Sequence, residues 1–207
     1  MNYDYMIRLF KEHAEPTATT VIPTTGEVLL GKHEIRAEQL PKRPFRSAGV
    51  LIALVNYPEG LNVIFTRRRD DLAHHAGQVS FPGGMAEPHD ASLKDTALRE
   101  AQEEIGLDPE KVEVLGRLGD YVTKGGVKIA PYVGLVEPPV DVTPCPHEVA
   151  EIFEVPLKFL TDPNNHSLEV RDNSVNLRNW SMTHGTQRIW GVTAQIIVGF
   201  TDFLANR

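Results

Sequence analysis

Between Gly84 and Leu107 the chain reads GMAEPHDASLKDTALREAQEEIGL, and this stretch constrains the fold more than any other. Placed on a helix at about 100° per residue, Glu100, Glu103 and Glu104 stand at i, i+3 and i+4 and project from one face. Leu98, Ala101 and Ile105 fall on the roughly opposite face, which then needs an apolar partner. Periodicity predicts a helix over residues 91–105. Ser92 with Asp95 has the form of a capping box with Asp for the usual Glu. Gly106 stands where a helix C-terminal glycine belongs, and Pro109 stops any continuation. Most acidic helix faces are plain solvated surface. Here, however, Glu100 and Glu104 are a like-charge i,i+4 pair, and the helical wheel puts no Lys or Arg on that face to offset them. A divalent cation would offset them, and three hard oxygen donors suit Mg²⁺ or Mn²⁺ better than zinc.

Phe81-Pro82-Gly83-Gly84 precedes this helix, and its glycines permit close approach of backbone to the helix or to the phosphates of a ligand. Upstream, the apolar run 49–55 (GVLIALV) has the character of a buried strand. Pro58-Glu59-Gly60 is a turn, and 61–66 reads as the return strand. Further strands are expected over 77–81, 112–122, 127–136 and 151–155, with a short helix over 156–160. A hairpin is expected between 167–171 and 175–181 around Asp172, Asn173 and Ser174, then a closing helix over 189–204 that contains Gly191 and Gly199. Strands and helices alternate without a regular βαβ beat, so a mixed sheet covered by helices is expected. Residues 1–47, with a short helix in 1–14, read as an N-terminal extension, and 48–207 as the compact domain.

Composition narrows the function. The net charge of −7 over 207 residues disfavours a nucleic-acid binder, which would show a basic face. A single cysteine, Cys145, excludes an internal disulfide and a cysteine-based zinc site. No apolar run reaches the roughly 18 residues of a membrane span. The N-terminus has Asp4 and no long apolar region, so no secretory signal is expected, and a cytoplasmic location is.

With these residues in place, the stretch resembles the Nudix box, G-x5-E-x7-R-E-U-x-E-E-x-G-U, where U is aliphatic. Gly84 matches the first glycine, and Arg99, Glu100, Ala101, Glu103, Glu104, Gly106 and Leu107 match the core. Asp90 stands where the general box has Glu, and eight residues rather than seven separate it from Arg99. The flanking sequence is similar to the coenzyme A pyrophosphatase branch, whose signature runs roughly L-L-T-x-R-(S/A)-x3-R-x3-G-x3-F-P-G-G. Ile64 to Arg68, Gly77 and Phe81-Pro82-Gly83-Gly84 fit it, and Ile189-Trp190-Gly191-Val192-Thr193-Ala194 is similar to that branch too. Arg69 departs from the signature's small residue and Ala73 from its second arginine; Arg69, four residues earlier, is a candidate substitute for the lost cation.

The resemblance implies a Nudix α/β/α sandwich and metal-dependent hydrolysis of coenzyme A or its thioesters to 3′,5′-ADP and 4′-phosphopantetheine or its acyl form. Other diphosphates (ADP-ribose, NADH, a dinucleoside polyphosphate) are the alternative substrates, and a non-catalytic nucleotide-sensing module is the alternative outside enzymes. It also implies Glu100, Glu103 and Glu104 as ligands of Mg²⁺ or Mn²⁺, with Glu103 or Glu104 aligning or deprotonating water. Arg99 is expected to orient a box carboxylate or, alternatively, to touch phosphate. Glu148 is a candidate further ligand or base, with Glu87 and Asp90 as lesser loop candidates. Gly83 and Gly84 are expected beside the substrate. Arg67 and Arg68 end a strand, and alternation sends them to opposite faces, so one of them, Arg68 by register, should point at the site. His74 and His75 read as structural or substrate-adjacent, and Cys145 lacks a base partner. The expected partner is a small nucleotide substrate rather than nucleic acid or membrane, with a homodimer as a candidate assembly.

Overall fold

A strand buried on both faces must be apolar at every position, and the run from Gly49 to Val55 meets that demand. The computed structural model describes residues 3–12, 20–21, 44–123, 125–172 and 177–206. Helix α1 spans Tyr3–Glu12 and strand β1 Thr20–Val21; β2 (Arg46–Tyr57) and β3 (Gly60–Arg68) follow, then β4 (Val79–Ser80) and β5 (Gly83–Met85). Helix α2 (Leu93–Ile105) leads to β6 (Val112–Arg117), β7 (Tyr121–Val122), β8 (Val127–Val136), β9 (Val149–Pro156) and α3 (Leu157–Leu160). The chain closes with β10 (Ser167–Asp172), β11 (Leu177–His184), β12 (Gln187–Trp190) and α4 (Val192–Ala205).

Among the described residues the main sheet is mixed, with the order β1-β7-β8-β2-β3-β4; β5 adds to β2, β6 to β8 and β9 to β3. β2 lies at its centre, parallel to β8 from Arg46 opposite Val127 to Val55 opposite Val136, and antiparallel to β3 through the turn that pairs Tyr57 with Gly60. β10, β11 and β12 form a separate antiparallel sheet. Alternation along β2 sends Leu51, Ala53 and Val55 to one face, where they pack with Ala97, Ala101 and Ile105 of α2. Ile52 and Leu54 face the other way, into a larger cluster with Met6, Leu9 and Phe10 of α1 and Ile196, Ile197 and Phe200 of α4. This is the expected α/β/α sandwich. Helix α1 lies in the stretch read as an extension, yet its Met6, Leu9 and Phe10 are buried in the core.

Several boundaries differ from the sequence reading. Ile189 and Trp190 belong to β12, paired with Met182 and Ser181, so the closing helix starts only at Val192, after Gly191. The expected strand over 112–122 breaks between β6 and β7, where buried Asp120 takes ion pairs from Arg117 and Lys128. The strand expected over 77–81 shortens to Val79–Ser80. Gly199 stays inside α4 because a Cβ there would collide with the Tyr121 hydroxyl. The hairpin turn at Asn173 and Ser174, Lys124, and residues 22–43 lie outside the described residues. Among those described, no helix is long and apolar enough to cross a membrane.

Gly49 sets how closely α2 lies on the sheet: a Cβ there would stand 2.9 Å from the Ala97 backbone nitrogen and collide with the Leu93 carbonyl. Both are backbone atoms of α2 and cannot rotate away. Gly49→Ala is therefore expected to lower the unfolding free energy by about 1–3 kcal/mol through overpacking, measured by urea denaturation. An unchanged midpoint would show that α2 shifts off β2 at no cost.

Candidate active site

Local chemistry defines the ends of α2. Ser92 adopts extended backbone and accepts from the Asp95 amide at 3.2 Å, while its hydroxyl donates to Asp95 Oδ2 at 2.8 Å. Gly106 takes the left-handed conformation (φ 69°), and its amide donates back to Gln102 O at 2.9 Å. The expected serine N-cap and glycine C-cap are present, with Asp95 reaching back to the Ser92 hydroxyl and not to its backbone amide as in a full capping box.

On the exposed side of α2, Arg99 joins four groups. Its Nε and Nη2 donate to Asp90 Oδ1 and Oδ2 at 2.9 and 3.0 Å. Nη2 also donates to Met85 O at 3.1 Å, and Nη1 donates to Glu100 Oε1 at 3.0 Å and Glu103 Oε2 at 2.9 Å. The expectation that no basic residue offsets the glutamates is therefore wrong. Arg99 stands one turn before Glu103 as its i,i+4 neighbour, and its long stem also reaches the adjacent Glu100. Asp90 is nearly buried and accepts in addition from Thr96 Oγ1 at 2.8 Å and the Glu87 amide at 2.9 Å. The Arg99 guanidinium, aided by these donors, holds its carboxyl far below the usual carboxylate range. The same pairing raises the Arg99 pKa.

Glu104 is 4% exposed. Its Oε2 accepts from the Gly83 amide at 3.2 Å, and its Oε1 lies 3.8 Å from Arg68 Nη1. Burial, reinforced by the charges of Glu100 and Glu148, pushes its pKa up to about 7 against the relief from Gly83 and Arg68. Glu100 is raised as well, by burial despite its pairing with Arg99. Gly84 packs flat on Glu100, where a Cβ would come within 2.5 Å of both carboxylate oxygens. The missing Cβ of Gly84 thus lets the turn close on the Glu100 carboxylate, and that of Gly83 lets it close on Gly49 and Val50 of β2.

The strand ends sort the arginines. The pairing of β3 with β9 slips between Arg67 and Arg68, opposite Glu151 and Val149. Arg67 faces away from the glutamates, with Nε donating to Glu151 Oε2 at 3.3 Å and Nη1 at 3.4 Å from Asp70 Oδ2. Arg68 faces the site, with Nη1 3.7 Å from Glu148 Oε2 as well as near Glu104. Its Nε is buried without a hydrogen-bond partner, alone in that state among the described side chains. Arg69 spends its guanidinium on Asp71 (2.8 and 2.7 Å) and on the Pro146 carbonyl (2.6 Å), so it does not stand in for the arginine that Ala73 replaces.

The structure therefore brings Arg68, Gly83, Gly84, Arg99, Glu100, Glu103, Glu104 and Glu148 to one region and leaves Arg67 outside it. Glu87 pairs with His89 at 3.5 Å on the surface, and His75 bonds to Gln78 at 3.0 Å. Thr96 and the Met85 carbonyl, which complete the Asp90–Arg99 contact, were missed by sequence reasoning, since nothing local marks them. A cavity of about 680 Å³ lies elsewhere, between Tyr57, Asn62, Glu154 and Lys158 at the far end of β3. Among the described residues no three His, Cys, Asp or Glu side chains are already gathered around one metal position. The donor set still fits a hard divalent cation. The Glu100, Glu104 and Glu148 charges oppose one another, and Glu103, its side chain 59% exposed, stands on the same helix face.

Comparison with known proteins agrees with this geometry. Residues 44–173 match the family model of the NUDIX domain. The chain is 40% identical over 177 residues to the uncharacterized Nudix hydrolase NudL of Yersinia pestis (strain Pestoides F), covering 85% of each chain. NudL of Yersinia pseudotuberculosis serotype O:1b matches with the same figures. Among solved structures, a MutT/nudix family protein from Enterococcus faecalis superposes with a TM-score of 0.51 at 17% identity, over 84% of this chain and 66% of that one, a likeness of fold.

Glu104→Gln keeps the acceptor for Gly83 and removes the buried charge. A folded pKa of about 7 above an ordinary 4.5 means that the stability linked to protonated Glu104 is full below pH 4.5. It is lost as the pH rises through 7. In chelator, Glu104→Gln should therefore be more stable than the parent by about 3 kcal/mol at pH 8 and equal to it at pH 4. Unfolding curves across that range check this, and a gap independent of pH would contradict it.

Proposed function

The chain belongs to the NUDIX family and is a Nudix hydrolase, and on that premise we propose that it cleaves the diphosphate of coenzyme A or of its thioesters. The products are 3′,5′-ADP and 4′-phosphopantetheine or its acyl form. The observation that carries this reading is Arg68. Its guanidinium stands among the carboxylates with a buried, unpartnered Nε and with Nη1 too far from Glu104 (3.8 Å) and Glu148 (3.7 Å) for short hydrogen bonds. Such an arginine has donors to give to phosphate oxygens. Gly84 lies against the Glu100 carboxylate and the Gly83 amide donates to Glu104, so this turn borders the carboxylates beside which a diphosphate would lie.

Glu100, Glu103 and Glu104 would hold Mg²⁺ or Mn²⁺. When bound there, such an ion would supply charge neutralisation at the diphosphate oxygens and activation of water. Glu148 acts as the base, its side chain half exposed and 3.7 Å from Arg68 Nη1. Arg99 has spent its donors on Asp90, Met85 O, Glu100 and Glu103, so it acts by positioning the glutamates and not by touching phosphate. Arg67, tied to Glu151 and Asp70, supports the strand end. The coenzyme A reading also draws on the tie between two distant stretches that resemble that branch: Thr193 Oγ1 donates to Val79 O at 2.9 Å, joining the start of α4 to the strand before Phe81-Pro82-Gly83-Gly84. The second reading is the same hydrolysis of ADP-ribose, NADH or a dinucleoside polyphosphate, favoured by Ala73, which supplies no cation where that branch has an arginine.

A panel of coenzyme A, acetyl-coenzyme A, ADP-ribose, NADH and diadenosine tetraphosphate, with products separated by chromatography, decides between them. Coenzyme A should yield 3′,5′-ADP with Mg²⁺ or Mn²⁺, and nothing with EDTA. Glu103→Gln and Glu104→Gln should each lower kcat by about 100-fold or more. Turnover of ADP-ribose with coenzyme A untouched would move the substrate to the second reading, and full activity in Glu103→Gln would remove that residue from the site.

A further inference from the structure

We propose that Arg69, which touches none of the site carboxylates, is a positioning residue that anchors the loop bearing Glu148. The catalytic part of this proposal rests on the assignment of Glu148 as base above.

The loop between β8 and β9 has two attachments near Glu148. On the helix side, the Thr143 amide donates to Ile105 O and the Cys145 amide to Glu104 O, both at 2.8 Å. On the strand side, the attachment is Arg69. Its backbone amide donates to Glu148 O at 3.0 Å, and its Nη1 donates to Pro146 O at 2.6 Å. Inside the segment the Glu148 and Val149 amides both donate to Cys145 O, at 3.1 and 2.9 Å, while the Pro146 and Glu148 carbonyls take their donors from Arg69. Asp71 grips the guanidinium at 2.8 and 2.7 Å and aims Nη1 at that carbonyl. As an exposed ion pair Arg69–Asp71 would matter little to stability. Its consequence is geometric, because the anchored carbonyls flank the residue whose carboxylate lies 3.7 Å from Arg68. Arg68 and Arg69 are adjacent, so one strand end sets both the cation of the site and the loop that faces it.

Hydrogen exchange and kinetics of Arg69→Ala, Arg69→Lys, Glu148→Gln and the double variant Arg69→Ala/Glu148→Gln test this. In Arg69→Ala the amides of Cys145, Glu148 and Val149 should exchange about 10-fold faster, with the rest of the main sheet unchanged. On the preferred substrate of the panel, kcat should fall about 10-fold with KM within about 2-fold, and the double variant should match Glu148→Gln alone. Arg69→Lys keeps a donor for Pro146 O but loses the fork on Asp71, and should fall between parent and Arg69→Ala. Unchanged exchange would overturn the anchor. A raised KM with kcat kept would make Arg69 a substrate contact, and a double variant multiplying the two losses would detach it from Glu148; either result overturns the proposal. Full activity in Glu148→Gln would overturn the base assignment instead, and faster loop exchange in Arg69→Ala would still support the anchor.

Discussion

A guanidinium carries five N–H donors in a rigid plane, and in Arg99 they are spread over Asp90, the Met85 carbonyl, Glu100 and Glu103. The contact joins three parts of the chain that local forces would leave separate: the end of β5, the loop that follows it and the middle of α2. Without it, Glu100 and Glu103 would crowd an acidic face with no neighbouring cation, and the loop carrying Asp90 would lose its attachment to the helix. Asp90 is held ionised by the same pairing and by Thr96. Its short side chain suffices because the guanidinium comes to it.

The sheet supplies the second constraint. α2 rests directly on β2 at Gly49, and β5 pairs with the same stretch of β2, Gly49 opposite Gly84. The turn at Gly83 is thereby held against the helix, within hydrogen-bond reach of Glu104. Close packing is what dries Glu104 and raises its pKa. One arrangement therefore explains both the packing glycines and the perturbed carboxylate, which is the usual association of strained electrostatics with a functional cleft.

Much of this was legible in the residues. The helix, its serine cap, its glycine stop and the common face of three glutamates follow from spacing alone, because an α-helix repeats on a scale of three or four residues. Arg99 stands four residues before Glu103, a neighbouring pair on the helix surface, so its contact with Glu103 was legible in the spacing and only its contacts with Glu100, Asp90 and the Met85 carbonyl needed the fold. Spacing failed at Ile189 and Trp190, where an apolar run fits a helix or a strand equally. There the two-residue turn at Gly185-Thr186 pairs His184 with Gln187 and commits the chain to β12. The burial of α1 was hidden for a related reason: three apolar residues become core only when the sheet offers a face to cover.

What the sequence by itself determined is the acidic helix and the glycine turn before it, and hence the family and its hard-oxygen chemistry, because each depends on interactions within a few residues. Strand alternation already pointed Arg68 rather than Arg67 at the site, and tertiary structure alone decided whether Glu148 reaches it. At the end of β3, where its pairing with β9 shifts, Arg68 meets Glu104 and Glu148 while Arg67 meets Glu151 and Asp70. The loop bearing Glu148 makes contacts on two sides, with Arg69 and with the end of α2. Those contacts join residues far apart in the chain, where no periodicity carries information and only packing fixes what meets.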